Sequence, residues 1–400
     1  MHLKIWVVFL KKFSNNSYKM VSEMKYQRNI YVLSIIVLLY LVLVYSSGDA
    51  QTGPCVNCHT MHNSQNGTAM ATYGADGKPW KGTGPYGALV RGDCLGCHGI
   101  GTSKIVTIGG SDIPQVYHTD ATDLAGGNFA YITGAKSRVT ADQNTAGHNV
   151  KDVGINDSNL NTPPGLLPEG GHDEIINDTN LTCAGYIGCH GKRNMEDSNA
   201  TGIPKLKGAH HNNVDGKCET ADTVANSYRF LLGVKGLENT GTYKWQNYNA
   251  TNHNEYFGAI TPDAASCSNN CHPTGTTAQP PNHTISGFCA TCHGQFHDVT
   301  EIGGTSSPFT RHPTDIVLPA SGEYTAYTTY SIEAPVARQT VFDSISSTVQ
   351  PGTDVVMCLS CHAAHATPYA DILKWDYSTM IAGGGGSGGC FTCHTQKKNP

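Results

Sequence analysis

Seven short stretches of this chain share one pattern, in which two nearby cysteines are followed directly by a histidine. In five of them two residues separate the cysteines: Cys55–His59, Cys94–His98, Cys289–His293, Cys358–His362 and Cys390–His394. Two wider versions are Cys267–His272, with three intervening residues, and Cys183–His190, with five. Seven motifs with two cysteines each take all but one of the 15 cysteines. No other feature constrains the fold as strongly.

Two cysteines and an adjacent histidine at this spacing form the attachment signature of a c-type haem. Each thiol adds to a haem vinyl group, and the histidine ligates the iron from one side. We therefore predict seven covalently bound haem c groups. The attachment residues are Cys55, Cys58, Cys94, Cys97, Cys183, Cys189, Cys267, Cys271, Cys289, Cys292, Cys358, Cys361, Cys390 and Cys393, and the proximal ligands are His59, His98, His190, His272, His293, His362 and His394.

Two other interpretations of the cysteines explain less. A disulfide framework is common in exported chains rich in cysteine, but it does not require a histidine after each pair. Structural zinc sites combine two cysteine pairs and likewise do not require this histidine. Cys218 is the one cysteine outside the motifs, and we expect a buried thiol there.

The histidine supply predicts a second imidazole on each iron. The chain has 19 histidines, so those outside the motifs outnumber the haems, whereas methionines beyond the N-terminal segment do not. Two imidazole ligands per iron imply low reduction potentials. The predicted second ligands are His62, His148, one of His210 and His211, His253, His297, His312 and His365. We expect His118 and His172 to be surface residues.

One of these histidines follows the first motif at helical spacing. His62 lies three residues after His59, so the two rings share a face and cannot bind one iron from opposite sides. We expect His62 to reach the iron of a neighbouring haem. His365 stands in the same relation to His362 near the other end of the chain.

The composition predicts a fold of mostly irregular coil with short helices and few short strands, wrapped around a chain of covalent haems. Glycine is abundant, with 45 residues, and allows the backbone to approach bulky cofactors. We expect short strands at Lys104–Ile108 and Gly127–Thr133, and a helix at Pro368–Ile381. The net charge of −5 disfavours nucleic acid as a partner.

Residues 1–50 are predicted to be a signal peptide, and residues 51–400 the seven-haem domain. The apolar run Ile30–Val44 follows basic residues and ends in small residues, which favours cleavage after Ala50. The long stretch before the run favours a true start at Met20 or Met24. The alternative is an uncleaved membrane anchor, although the run is shorter than the ~20 residues that span a bilayer.

The chain resembles the exported multihaem c-type cytochromes of metal-reducing bacteria and related archaea. The resemblance covers essentially the whole mature chain and is carried by Leu181–Gly191, Gly208–His211, Ser227–Leu231, His253–Tyr256, Arg311–Pro319 and Val356–His362. It implies closely spaced haems, each with two histidine ligands, and little regular secondary structure. Some members of that group polymerise into extracellular filaments.

Electron transfer is the expected function, and we predict no catalytic residues. Irons with both axial positions occupied offer no vacant site for substrate. The alternative is a multihaem oxidoreductase of the nitrite or hydroxylamine type with one open haem. We expect export to the cell surface or beyond, with the periplasm as the alternative. Expected partners are redox proteins, extracellular electron acceptors and, as a further hypothesis, copies of the chain in a filament.

Overall fold

The structure is a computed structural model that describes residues 59–60, 64–65, 68–69, 90–91, 94–99, 102–108, 111–155, 157–160, 162–165, 181–184, 188–190, 231, 233–237, 243–259, 284–297, 312–342 and 344–399. All of them belong to one compact unit, Asp49–Pro400. Outside the described residues lie the N-terminal segment, His172, Cys218, and residues 224–230 and 232.

The strands form six separate two-stranded ladders. They are β1 His59–Thr60 with β4 Val90–Arg91, β2 Ser64–Gln65 with β3 Thr68–Ala69, β5 Ile105–Ile108 with β6 Ser111–Pro114, β7 Thr182–Ala184 with β8 Gly188–His190, β9 Val234–Lys235 with β10 Glu255–Tyr256, and β11 Ile316–Val317 with β12 Val355–Val356. Only the β7–β8 pair among them is parallel. The β-branched run Ile105–Ile108 forms the longer hairpin, which confirms the predicted strand there.

The described helices are equally short. They are α1 Cys94–His98, α2 Ala130–Thr133, α3 Ile285–Ala290 and α4 Gly294–His297. Single 3₁₀ turns occupy Gln143–Thr145, Lys151–Val153, Gly322–Ala326, Cys358–Ser360, Ala370–Ile372, Tyr377–Thr379 and Gly389–Thr392. The Thr284 side chain caps α3 by accepting a hydrogen bond of 2.9 Å from the Gly287 N–H.

Two of the predicted elements are wrong. The predicted strand at Gly127–Thr133 contains helix α2, because the Asn128 side chain accepts from the Ala130 N–H and Gly134 ends the turn with a φ of 79°. The predicted helix at Pro368–Ile381 consists of two 3₁₀ turns. Asp371 and Ile372 have φ values of 57° and 56°, which a right-handed helix cannot contain.

Apolar side chains form three small clusters. The first contains Val234, Tyr256, Ile285, Phe288, Ala337, Val355 and Met357, the second Leu95, Phe129, Tyr131, Ile132, Ala146, Val150, Val153 and Ala366, and the third Leu318, Tyr327, Tyr330, Val336, Val349 and Val356. Cys189 packs on the first cluster and Cys393 on the third. The clusters therefore adjoin the cysteine motifs, and the predicted fold class of coil with short elements is confirmed.

Among the described residues, no helix combines the length and the apolar character needed to cross a membrane.

Candidate haem-binding sites

The four described motifs with two intervening residues each wind into one helical turn. The N–H of the motif histidine donates to the carbonyl of the first cysteine at 3.1 Å in His293, 3.1 Å in His362 and 3.0 Å in His394. The second motif, Cys94–His98, is the whole of α1. Residues three and four apart lie on the same face of such a turn. Each turn therefore presents two sulfurs and one imidazole to the same side.

The motif with five intervening residues reaches a similar arrangement by another route. Cys183 and Cys189 lie on the parallel strands β7 and β8, between the partner pairs Thr182–Gly188 and Ala184–His190. Neighbouring strands are about 4.8 Å apart. The wider spacing therefore still places the two cysteines side by side, with the extra residues in the connection.

Three motif histidines face a second histidine from elsewhere in the chain. The ring centroids lie 6.1 Å apart for His293 and His148, 6.1 Å for His190 and His365, and 6.2 Å for His394 and His312. A ring bound to a metal through Nε2 at about 2.0 Å has its centroid about 3 Å from that metal, so two opposed ligands lie about 6 Å apart. Each pair could hold one iron between its rings.

In six of the described histidines Nδ1 is hydrogen-bonded to oxygen, whereas the Nδ1 atoms of His190 and His365 are buried without a hydrogen-bond partner. In the motif histidines His98, His293 and His362, Nδ1–H donates at 2.7 Å to the main-chain carbonyl of Pro114, Pro164 and Asp371, respectively. In His148 and His312, Nδ1–H donates at 2.9 Å to the carbonyl of Ala364 and Pro313, respectively. In His394, Nδ1–H donates to Glu323 Oε1 at 3.2 Å. A proton on Nδ1 leaves the lone pair on Nε2, the form in which imidazole binds a metal. The residues fit a haem iron.

Two of the second histidines are positioned by one segment of chain. The His148 N–H donates to the His365 carbonyl at 3.0 Å, and the His365 N–H donates to the Gly126 carbonyl at 2.7 Å. A side chain at Gly126 would meet the His365 ring at 2.9 Å. The segment 364–366 therefore fixes both rings, and the absence of a Cβ at position 126 makes room for one of them.

The rings of His190, His293, His365 and His148 are neutral at physiological pH. Burial, together with the charge of nearby histidines, lowers the pKa of His190 and His293 to about 4 and that of His365 to about 3. For His148 burial also lowers the pKa, although the bond to the Ala364 carbonyl opposes it. Neutral imidazole is the ligating form, so the protein holds these side chains ready for a metal.

The cysteines of different motifs are close neighbours. Cys94 Sγ, Cys183 Sγ and a carboxylate oxygen of Asp152 lie within 4.8 Å of one another. Cys289 shares a hydrogen bond with Cys358, and the charge of Cys189 also acts on Cys289. Cys361 is close enough to Cys390 and Cys393 to interact with both electrostatically. The second, third, fifth, sixth and seventh motifs thus form a continuous series in space.

The structure argues against His253 as an iron ligand. Its Nε2 lies 3.2 Å from Glu255 Oε1, its Nδ1 lies 3.2 Å from the Asn249 carbonyl, and its ring stacks on Tyr330 with centroids 3.7 Å apart. Both nitrogens therefore have protein partners. In the structure His253 belongs to a buried polar network, and its role as an iron ligand stays a prediction.

His118 is buried, contrary to the expected surface position, with 1% of its surface exposed. The Asp120 main-chain N–H donates to its Nδ1 at 3.2 Å. Its Nε2 is buried without a hydrogen-bond partner and lies 3.8 Å from Asp123 Oδ1.

Several predicted site residues lie outside the described residues or are described by their backbone alone. The residues outside are Cys55, Cys58, His62, His210, His211, Cys267, Cys271 and His272. The backbone alone is described for His59 in β1, Cys97 in α1 and His297 in α4. Sequence reasoning also missed Glu323 and the carbonyl groups that fix the rings. No motif marks them, because they come from distant parts of the chain.

Two comparisons with known protein sequences match this chain. A family model described as "Doubled CXXCH motif" matches residues 351–399, which hold the sixth and seventh motifs. The chain is 25% identical over 407 residues to the C-type cytochrome OmcS of Geobacter sulfurreducens, covering 86% of this chain and 83% of that protein. The predicted resemblance to multihaem c-type cytochromes is confirmed.

Two solved structures from Geobacter sulfurreducens also match. One is the Outer Membrane Cytochrome S filament, at 20% identity, a TM-score of 0.37, and coverage of 81% of this chain and 84% of that chain. The other is the OmcS nanowire, at 19% identity, a TM-score of 0.40, and coverage of 89% and 94%. Together with the motifs, the sequence matches support covalently bound haem c in this chain.

Proposed function

We propose that this chain carries electrons through seven haem c groups, each ligated by two histidines. The observation that carries the proposal is the recurrent pair of opposed imidazoles, found at 6.1, 6.1 and 6.2 Å for three different motifs. In each pair one ring belongs to a motif and the other comes from a distant segment. Three independent parts of the chain thus arrive at the same separation, which matches the space that one iron requires.

On the basis of the described pairs, we propose second ligands for three haems. His365 serves the third motif, His148 the fifth and His312 the seventh. The other four haems draw on histidines outside the described side chains: His62, His172, His210, His211, His283 and His297. With His253 engaged elsewhere, this supply still covers all four.

A haem with imidazole on both faces supplies one-electron redox chemistry and has no vacant position for a substrate. The chain's own residues hold the cofactors close together, exclude water from the ring nitrogens and set the tautomer of each ligand. The neighbouring cysteines of successive motifs support short separations between haems. We therefore favour a pure electron carrier over a nitrite or hydroxylamine oxidoreductase, which needs one open iron.

Export and assembly complete the proposal. Residues 1–50 act as the signal peptide, and residues 51–400 work at the cell surface or beyond it, with redox proteins or external acceptors as partners. Motifs near both ends of the mature chain suit electron passage between copies arranged head to tail, and a head-to-tail contact that does not close makes a filament. Electron microscopy of the secreted protein tests this part, and uniformly dispersed single particles would contradict it.

The central test is made on holoprotein produced with a c-type haem maturation system. Intact mass should show seven added haems, and the absorbance spectrum should be low-spin in both oxidation states. Reduced protein should not bind carbon monoxide. Stoichiometric binding of carbon monoxide or nitrite to one iron would favour the oxidoreductase instead.

A further inference from the structure

The histidine of the seventh motif has a hydrogen-bond partner unlike those of the other described motif histidines whose Nδ1 bonds are known. His98, His293 and His362 donate Nδ1–H to neutral main-chain carbonyl groups. His394 donates to Glu323 Oε1, a carboxylate oxygen, at 3.2 Å. Only this site, within the described set, brings a formal negative charge onto the back of the proximal ring.

The Glu323 carboxylate is little exposed and poorly neutralised. Its side chain is 12% exposed, and its second oxygen, Oε2, is buried without a hydrogen-bond partner. No lysine or arginine of the described residues forms an ion pair with it. Because water screens the charge only weakly at such a site, the His394 ring receives most of its effect.

The geometry around this contact is fixed from two sides. Glu323 lies in the 3₁₀ turn Gly322–Ala326, and the Thr395 hydroxyl donates to the Glu323 main-chain carbonyl. The Tyr324 ring meets the edge of the His394 ring, with centroids 5.3 Å apart. The residue after the motif and the residue after Glu323 therefore both hold the carboxylate against the imidazole.

We propose that Glu323 is a positioning residue that lowers the reduction potential of the haem bound by His394, relative to haems whose proximal histidines bond to carbonyl groups. This proposal rests on the proposed function. A carboxylate accepting the Nδ1 proton makes the imidazole a stronger electron donor, which favours the oxidised iron. Glu323 thereby sets the energy of the haem closest to the C-terminus.

The sixth motif carries a charge of the opposite sign. The Lys374 Nζ donates to the Leu359 carbonyl at 2.6 Å, and the Lys374 N–H donates to the Cys361 carbonyl at 2.9 Å. A cation beside a haem favours the reduced iron. The seventh site thus has a negative charge beside it and the sixth a positive charge. The resulting difference in reduction potential favours electron transfer from the seventh haem to the sixth.

The test is a spectroelectrochemical titration of holoprotein carrying Glu323→Gln. Glutamine keeps the size and an acceptor oxygen but removes the charge. We expect the reduction potential of one haem to rise by at least about 59 mV, which is a tenfold change in its one-electron reduction equilibrium. The potentials of the other haems should change less. Resonance Raman bands of the axial imidazole should shift in the same variant, since they report the donor strength of the ring.

Glu333→Gln is the matched control. The Glu333 side chain approaches Gly388 in the loop before the seventh motif. The substitution therefore removes an equal charge near the same haem site without changing the hydrogen bond of an axial histidine. We expect less than a third of the Glu323→Gln shift and no change in the imidazole bands. Equal shifts in the two variants would mean that only general charge matters and would overturn the proposal.

Glu323→Asp separates the hydrogen bond from the charge. Aspartate keeps the charge but is too short to hold Nδ1 at the same distance, so a shift in the same direction as for glutamine supports the proposal. An unchanged set of potentials in Glu323→Gln, with all haems still attached by mass, would refute it. The haem count and the carbon monoxide test on the unaltered protein address the proposed function separately.

Discussion

The imidazole of His365 lies opposite that of His190, with ring centroids 6.1 Å apart. His190 ends the third motif, whereas His365 follows the sixth motif by three residues. One turn of chain thus presents His362 as the ligand of its own motif and His365 as the counterpart of another. The two sites share a ligand-bearing segment, so a change at one site must affect the other.

The first prediction concerns this shared segment. His365→Ala should leave every haem attached but remove the second ligand of the third site, because attachment depends on the cysteines alone. About one haem per chain should become high-spin and bind carbon monoxide. Difference spectra with carbon monoxide measure this. His118→Gln is the control: it should bind none, since His118 is engaged between Asp120 and Asp123.

A second prediction concerns the glycines that admit the 364–366 segment. Gly127 has a φ of 89°, and a Cβ there would collide with the Ala366 carbonyl. Gly127→Ala should therefore displace His365 and His148 and lower the free energy of unfolding by at least ~3 kcal/mol. Denaturant unfolding and the low-spin absorbance measure the two effects.

Gly134→Ala is the matched control for that experiment. Gly134 has a φ of 79°, but the nearest atom to its Cβ position is on Arg138 at 3.8 Å. The cost should be only the left-handed backbone strain of about 1–2 kcal/mol. If the two alanine variants lost equal stability and kept the same spectrum, steric contact with the ligand segment would not be the cause.

A third prediction follows from the partners of His253. His253→Phe keeps the stack on Tyr330 but removes the bonds to Glu255 and Asn249. We expect an unchanged low-spin spectrum and a loss of about 1–3 kcal/mol in the free energy of unfolding, because a buried acceptor loses a donor. His148→Phe is the comparison and should open one haem. A carbon monoxide site in His253→Phe would restore the sequence prediction.

The fold class could be predicted because it depends on local pattern. Cys358–His362 forms its turn from contacts within the motif, and a glycine-rich chain with few apolar runs cannot build long elements. The parallel pairing that brings Cys183 beside Cys189 was not predictable from spacing. It depends on strand register, which the residues between them do not reveal.

The pairing of ligands was beyond sequence reasoning for a related reason. His148 and His293 meet because separate loops converge, and nothing in either local sequence encodes the other. The same limit applies to His253, whose contact with Glu255 on strand β10 no local pattern indicated. A histidine count bounds how many ligands exist. Only the tertiary contacts decide which histidines become ligands.

The last prediction concerns the ion network beneath the third apolar cluster. Arg338 Nε lies 3.1 Å from Glu255 Oε2, and its Nη1 lies 2.5 Å from Asp354 Oδ2, with the three side chains 11%, 2% and 7% exposed. Arg338→Met would leave two buried carboxylates without their cation. We expect a loss of about 3–5 kcal/mol in the free energy of unfolding, whereas Arg338→Lys, which keeps the charge, should lose less.

The acid behaviour of this network gives the prediction a second measurement. Burial raises the pKa of Glu255, but hydrogen bonds from His253 and Ser346 and the Arg338 charge outweigh it and leave that pKa below its usual 4.5. A lowered carboxyl pKa contributes stability above pH 4.5 that is lost as the pH falls through the folded pKa. Without Arg338 the folded pKa rises, so Glu255 should lose less stability on acidification in Arg338→Met than in the unaltered protein. The stability difference between the two proteins should therefore shrink as the pH falls from 7 to 4. Denaturant unfolding at these two pH values measures this, and an equal difference at both would contradict it.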